Sequence, residues 1–166
     1  DEMTQYAKGQ MQAVASNPAV IAAIHARNAQ TAGLSEDAVI ALDQTWRAEV
    51  EGTDRPMITE ILANPVSVFL SDLVAQSNGA ITEVFVMDAR GLNVGQSAIT
   101  SDYWQGDEAK FTETYPKGGA AVHVSEIELD QSTQTYQGQV SMSIMDPLSG
   151  DTIGAVTFGI NASSFF

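Results

Sequence analysis

Near Asn78-Gly79 the spacing of apolar residues changes, and this constrains the fold more than any other feature of the chain. Upstream, apolar residues recur every three to four positions, as at Met3, Tyr6, Ala7, Met11, Val14 and Ala15, which is a helical period. Asn17-Pro18 and Asn64-Pro65 each offer a capping side chain followed by a proline suited to a first helical turn. Ser35 caps another helix, in which Glu36 and Asp37 complement the dipole and Val39, Leu42 and Trp46 share a face. Downstream, "AITEVFVMD", "LNVGQSAI", "AAVHVSEIEL", "YQGQVSMSIMD" and "DTIGAVTFGIN" are rich in β-branched and aromatic residues. "DARG", "DQSTQT" and "PLSG" are turns between them. Five strands in close succession predict one antiparallel sheet. The fold class is therefore α+β. Residues 1–78 form a helical lead-in, and residues 79–166 form the sheet with a loop and a short helix near 107–114 inserted after the second strand. The 166 residues suit one domain.

Charge and cysteine usage narrow the function. Seven basic against 21 acidic residues give a net charge of -14, which repels nucleic acid and anionic membrane surfaces and is compatible with cationic ligands. With no cysteine there is no disulfide framework, thiolate metal site or cysteine nucleophile. No apolar run approaches the roughly 20 residues a membrane span needs. The two histidines, His25 and His123, lie in different elements, so no zinc spacing exists. The acidic residues Glu126, Glu128, Asp130, Asp146 and Asp151 lack EF-hand spacing, so no metal and no cofactor is expected. A glycine-rich phosphate loop and a Gly-x-Ser-x-Gly elbow are both missing, and no residue is singled out as a nucleophile. The chain reads as a binding module and not an enzyme, with a hydrolase on an α+β scaffold or a plain interaction domain as alternatives.

The candidate site centres on "TSDYWQGDEAKF", residues 100–111. Tyr103 and Trp104 stand there among polar groups, either as the wall of a ligand site or as a plug that pins the loop over the sheet. Lys110 is the cation nearest that wall, either as an anchor for the ligand or as a solvated surface lysine. Phe85 or Met87, His123, Ser125, Ser141 and Ser143 are the strand residues expected around the cavity, with the serines as small hydrogen-bonding side chains. By alternation His123 shares a face with Ala121, Ser125, Ile127 and Leu129, and a buried, satisfied histidine is its first reading.

Helices followed by five antiparallel strands, with a loop and helix after the second, resembles the plan of the Cache sensor domains. These are PAS-like (PDC) extracytoplasmic modules of bacterial receptors. "ITEVFVMDARGLNVGQS" looks like the first hairpin of that family, "TSDYWQGDEAKF" resembles its pocket-side loop and helix, and "VSMSIMDPLSGDTIGAVTFGI" is similar to its closing hairpin. The likeness runs from Asn64 onward. It departs from the amino-acid-binding branch, which has an arginine close before its aromatic loop residues, because here no arginine lies between Gly91 and the C-terminus. The resemblance implies a periplasmic or extracytoplasmic sensor for a small polar metabolite. Such a sensor would report to a histidine kinase, cyclase or chemoreceptor module, with membrane contact only through flanking segments outside this chain. The chain would then be an excised sensor or a free-standing binding domain. A signalling first helix would pair with a second copy through Met3, Tyr6 and Val14, giving a homodimer.

Overall fold

The computed structural model describes residues 1–131 and 134–165. Five helices come first: α1 (Glu2–Ala15), α2 (Pro18–Thr31), α3 (Glu36–Glu51), α4 (Pro56–Ala63) and α5 (Pro65–Gln76). The capping logic of the sequence explains three of the starts. Asn17 accepts from the Ala19 N–H, Ser35 from Ala38 and Asn64 from Ser67. Helix α5 runs out at the turn where Asn78 and Gly79 take positive φ. Helix α4 does not follow from the sequence reading; its N-cap, Arg55, makes no side-chain capping bond.

The sheet contains β1 (Ile81–Met87), β2 (Asn93–Gln96), β3 (Val122–Val124), β4 (Glu128–Asp130), β5 (Thr135–Met145) and β6 (Thr152–Asn161). A short helix, α6 (Ala109–Thr112), and a 3-10 turn at Tyr115–Lys117 lie between β2 and β3. All pairings are antiparallel, in the order β2-β1-β6-β5-β3, with β4 also on β5. The described strands number six where the sequence predicts five, because "AAVHVSEIEL" is broken. At the break Ser125 turns inward on the backbone of β5, its Oγ accepting from Gln139 N at 2.8 Å while its own N–H donates to Gln139 O. The expected turn "DQSTQT" includes Ser132 and Thr133, which lie outside the described residues.

One face of the sheet carries the main core. Val84, Val86, Val140, Met142, Val156 and Phe158 meet α1, α2 and α5 through Met3, Ala7, Val14, Ile24, Val66 and Leu70. Each full burial of a Val, Leu, Ile, Phe or Met side chain here stabilises by about 1.5–3 kcal/mol. This corrects the expected pairing surface on α1. Met3 and Val14 are buried in the core, and the Tyr6 ring lies 5.3 Å from that of Phe165. A second cluster joins α3 and α4 to the β1–β2 hairpin through Val39, Trp46, Ile58, Ile61, Leu92 and Tyr103. Between β1 and β2, Gly91 has φ +82°, and a Cβ there would stand 2.5 Å from Gly106 Cα. The inserted loop is thus held against the hairpin turn by two glycines that leave no room for a side chain. Among the described residues no single helix is long and apolar enough to cross a membrane.

Candidate functional site

The second face of the sheet is built by strand alternation. Register places Gln96, Phe85, Thr157, Ser141 and His123 in one row across five strands. Beside it run Met87, Ala155 and Ser143, and on the other side Glu83, Gly159 and Gln139. Loop residues cover this face. Phe111 of α6 and Tyr115 stack with centroids 5.5 Å apart and join Phe85, Met87 and Ala155 in an apolar cluster. Phe85, Met87, Ser141 and Thr157 are at most 1% exposed, so the cover is closed.

The floor combines small hydroxyls with a few long polar groups. Ser141 and Thr157 share a 2.8 Å hydrogen bond. Ser143, 3% exposed, leaves its Oγ without a partner. Gln139 Nε2 donates to Glu83 Oε1 at 3.4 Å across Gly159. A Cβ at Gly159 would come within 2.7 Å of Glu83 Cγ, so this glycine makes the room in which the glutamate lies. Burial pushes the Glu83 carboxyl above its ordinary range, against opposing pulls from Lys110 and the Gln139 hydrogen bond.

Above the floor, Lys110 Nζ sits 5.5 Å from the Phe85 ring centroid and 3.7 Å from Glu108 Oε1, with its side chain only 18% exposed. The alternative of a fully solvated lysine is thereby removed. Desolvation also raises Glu108; Lys110 opposes this, and Asp102 and Asp107 add to it. Glu108 Oε2 is buried and meets no donor. Its neighbour is the Asp102 carboxyl, so the two share a hydrogen bond only when one is protonated. Gln105, 2% exposed, likewise keeps its Oε1 without a partner.

The structure gathers Phe85, Met87, Lys110, His123, Ser141 and Ser143 on this one face. It does not bring Tyr103 and Trp104 to them. Both rings belong to the second cluster, among the helices. Tyr103 stacks on Trp46 at 5.3 Å and 25° and accepts a hydrogen bond from Arg27 on its hydroxyl. Trp104 is half-buried and donates its indole N–H to Arg90 O at 2.8 Å. The cause is the bridge between Leu92 and Trp104, which runs this segment along the sheet edge with its rings turned towards α3. Ser125 stands at the break after β3, where its hydroxyl is used by the backbone. His123 is half-buried, not enclosed, and does not share an apolar face with Ile127 and Leu129, since the strand stops at Val124 and both are exposed.

The sequence reading missed Glu83, Gln96, Phe111 and Thr157. Alternation with Phe85 was enough to place Glu83 on this face. The acidic set is divided between two places, with Asp146 and Asp151 at the β5–β6 turn and Glu126, Glu128 and Asp130 at β4.

The raised Glu83 carboxyl has a testable consequence. The folded state holds its proton to higher pH than the unfolded chain does, so this group lowers stability as pH rises from the ordinary carboxylate range through its raised value. Glu83→Gln removes that term. The variant should be more stable than the wild type at neutral pH and show a flatter decline of stability over that window, read from urea melts at a series of pH values. A pH profile identical to the wild type would sink the assignment.

No family model matches the sequence, and no curated protein matches it. Solved structures do match. The extracellular domain of the histidine kinase vpHK1S-Z8 aligns with a TM-score of 0.53 at 7% identity, over 98% of this chain and 52% of that one. The extracellular domain of the histidine kinase rpHK1S-Z16 gives 0.49 at 17% identity, over 74% and 52%. The ligand-binding domain of the Campylobacter jejuni chemoreceptor Tlp3, in complex with 4-methylisoleucine, gives 0.44 at 15% identity, over 75% and 50%. This chain spans about half the length of those structures. The fold is that of the Cache-type, PDC-like sensor domains of bacterial receptors. Of these structures, the one that aligns with a TM-score of 0.53 is described as the extracellular domain of a histidine kinase.

Proposed function

We propose that the chain is an extracytoplasmic sensor domain that binds a small polar metabolite on the loop-covered sheet face and relays occupancy to a signalling module. The observation that carries this reading is the row Gln96, Phe85, Thr157, Ser141 and His123 under a cover made by α6 and Tyr115. A floor of small polar side chains with a separate aromatic lid suits a ligand better than a purely structural core, which has no use for the unpartnered Ser143 hydroxyl. Phe85, Met87, Lys110, His123, Ser141 and Ser143 are its lining residues. Tyr103 and Trp104 act as the fastener of the loop, and Ser125 shapes the rim.

Because the face is closed, binding requires the cover to lift and re-close, which is a shift between two loop populations. Strands β5 and β6 carry the ligand floor on one face and α1 on the other, so residues 1–78 and 79–166 work as one domain in the relay. A dimer of such domains would use the outer side of α1, at Gln5, Lys8 and Gln12, because its inner side is in the core. A thermal-shift screen of small polar metabolites tests the reading, since a ligand of the folded state raises the melting temperature saturably. One saturating compound with no product formed is the expected result. A screen without any such compound, or turnover of one, overturns it.

A further inference from the structure

We infer that the cleft beside Arg27, on the helical side of the sheet, is a second binding site and takes an aliphatic monocarboxylate. Arg27 of α2 lines two clefts of about 300 and 260 Å³, which also have Gln30, Glu60 and Ile61 in common. No residue of the loop-covered sheet face lines either of them. The other three arginines are satisfied by the protein. Arg47 pairs with Asp43, Arg55 donates to the carbonyls of Val50 and Gly52, and Arg90 donates to those of Thr31 and Leu34. Arg27 differs. A guanidinium has five N–H donors. Here one Nη group meets the Tyr103 hydroxyl, Nε is buried without an acceptor, and among the described residues no carboxylate forms an ion pair with it. Holding Tyr103 thus leaves most of the group unused.

The nearest acids do not fill the gap. Asp88 is occupied elsewhere, accepting from the Thr31 hydroxyl and from the Arg90 and Leu92 amides. Glu60 is exposed at the edge of both clefts. Burial pulls the Arg27 pKa below its ordinary value, and Asp88 and Glu60 oppose this only in part. What the guanidinium lacks is an oxyanion from solution. The larger cleft suits its bearer. Pro65 and Val66, which open the 12-residue helix α5, line it, so the positive end of that helix dipole faces the same space. Ala23, Ile61 and Val94 complete an apolar wall for an aliphatic chain. A dianion would find one cation, with Glu60 and a net charge of -14 against it. A monocarboxylate makes charge-assisted hydrogen bonds to Arg27 and buries its chain against the wall.

Calorimetric titration with hexanoate, 1-hexanol and hexylamine tests the site with three head groups on one chain length. Hexanoate should bind saturably and at least about tenfold more tightly than the other two. Arg27→Gln should weaken hexanoate binding by about tenfold or more, and Glu60→Gln, which removes a repelling charge, should tighten it about threefold. Because Arg27 also holds Tyr103, a second variant separates binding from folding. Ala26 is an exposed residue lining the larger cleft, so Ala26→Leu fills the cleft and leaves the guanidinium and its tyrosine in place. A loss of hexanoate affinity of about tenfold at an unchanged melting temperature is the expected result for this variant. A folded Ala26→Leu protein that binds hexanoate as the wild type does overturns the site. So does the absence of saturable hexanoate binding, or a preference for 1-hexanol or hexylamine. Hexanoate binding that is lost in Lys110→Met and kept in Ala26→Leu moves the anion to the loop-covered face, which overturns the Arg27 site and leaves the sensor reading standing.

Discussion

Trp46→Ala should destabilise the domain by about 4 kcal/mol, the range seen when a large aromatic side chain is removed from a core. Trp46 is fully buried on α3, and its indole N–H donates to Thr100 O at 2.9 Å. Its ring stacks on Tyr103, inside a cluster with Val39, Ile58, Ile61 and Leu92. The substitution leaves a cavity between two helices and the loop, and it also strips a carbonyl of its donor, so neither side can collapse without moving the loop. Urea melts followed by far-UV circular dichroism measure the loss. Hydrogen exchange adds a localised expectation, with protection falling at residues 97–106 more than in the sheet. Such a loss is a large part of the roughly 5–15 kcal/mol that holds a domain together. Trp46→Phe, which keeps an aromatic ring but loses the N–H and the second ring of the indole, therefore serves as the milder companion and should lose about half as much. A Trp46→Ala variant within 1 kcal/mol of the wild type would show that the cluster does not fasten the loop.

The same cluster shows why the sequence revealed some of this molecule and not the rest. Helices α2, α3 and α5 were legible because Asn17, Ser35 and Asn64 cap them by contacts within three residues. Helix α4 was not, since it is eight residues long, carries no capping side chain and ends one residue before α5 begins. The sheet was legible by alternation, but the break after Val124 was not, because Ser125 is claimed by Gln139, fourteen residues away. The polar floor followed from alternation too, as Phe85, Ser141 and His123 show by meeting in one row. The depth of Glu83 did not, because it depends on a glycine in another strand, Gly159. Tyr103 and Trp104 illustrate the limit most clearly. Local pattern established that adjacent side chains diverge, but their partners Arg27, Asp43 and Trp46 lie in helices far upstream, and only the packing of α2 and α3 decides where the rings go.

Asp43→Ala is the second large effect, expected at about 3–4 kcal/mol. Asp43 sits in the middle of α3, 9% exposed, and its carboxylate reaches out of the helix to the loop. Oδ1 accepts from the backbone N–H groups of Tyr103 at 2.8 Å and of Trp104 at 2.9 Å, while Oδ2 accepts from Arg47 Nε at 2.7 Å. One carboxylate thus does for two successive amides what a neighbouring strand does elsewhere in the sheet. Alanine leaves the Tyr103 amide buried and unpaired and the Trp104 amide half-buried, and unsatisfied donors of this kind cost about 1–3 kcal/mol each. The ion pair with Arg47 contributes little, since that side chain is more than half exposed, so Arg47→Met should lose less than about 1 kcal/mol. Asp43→Asn keeps an acceptor and loses the charge, and should fall between the two. This ordering, alanine well below asparagine and asparagine below the Arg47 variant, separates a hydrogen-bonding role from an electrostatic one. Asparagine as damaging as alanine would mean that charge dominates. Alanine with unchanged stability, and with the Tyr103 and Trp104 amides still protected from exchange, would mean that the loop is held by its rings alone. If the proposed ligand site lies beneath the loop cover, Asp43→Ala should also speed both association and dissociation of its ligand, by lowering the free energy of the open cover relative to the closed one.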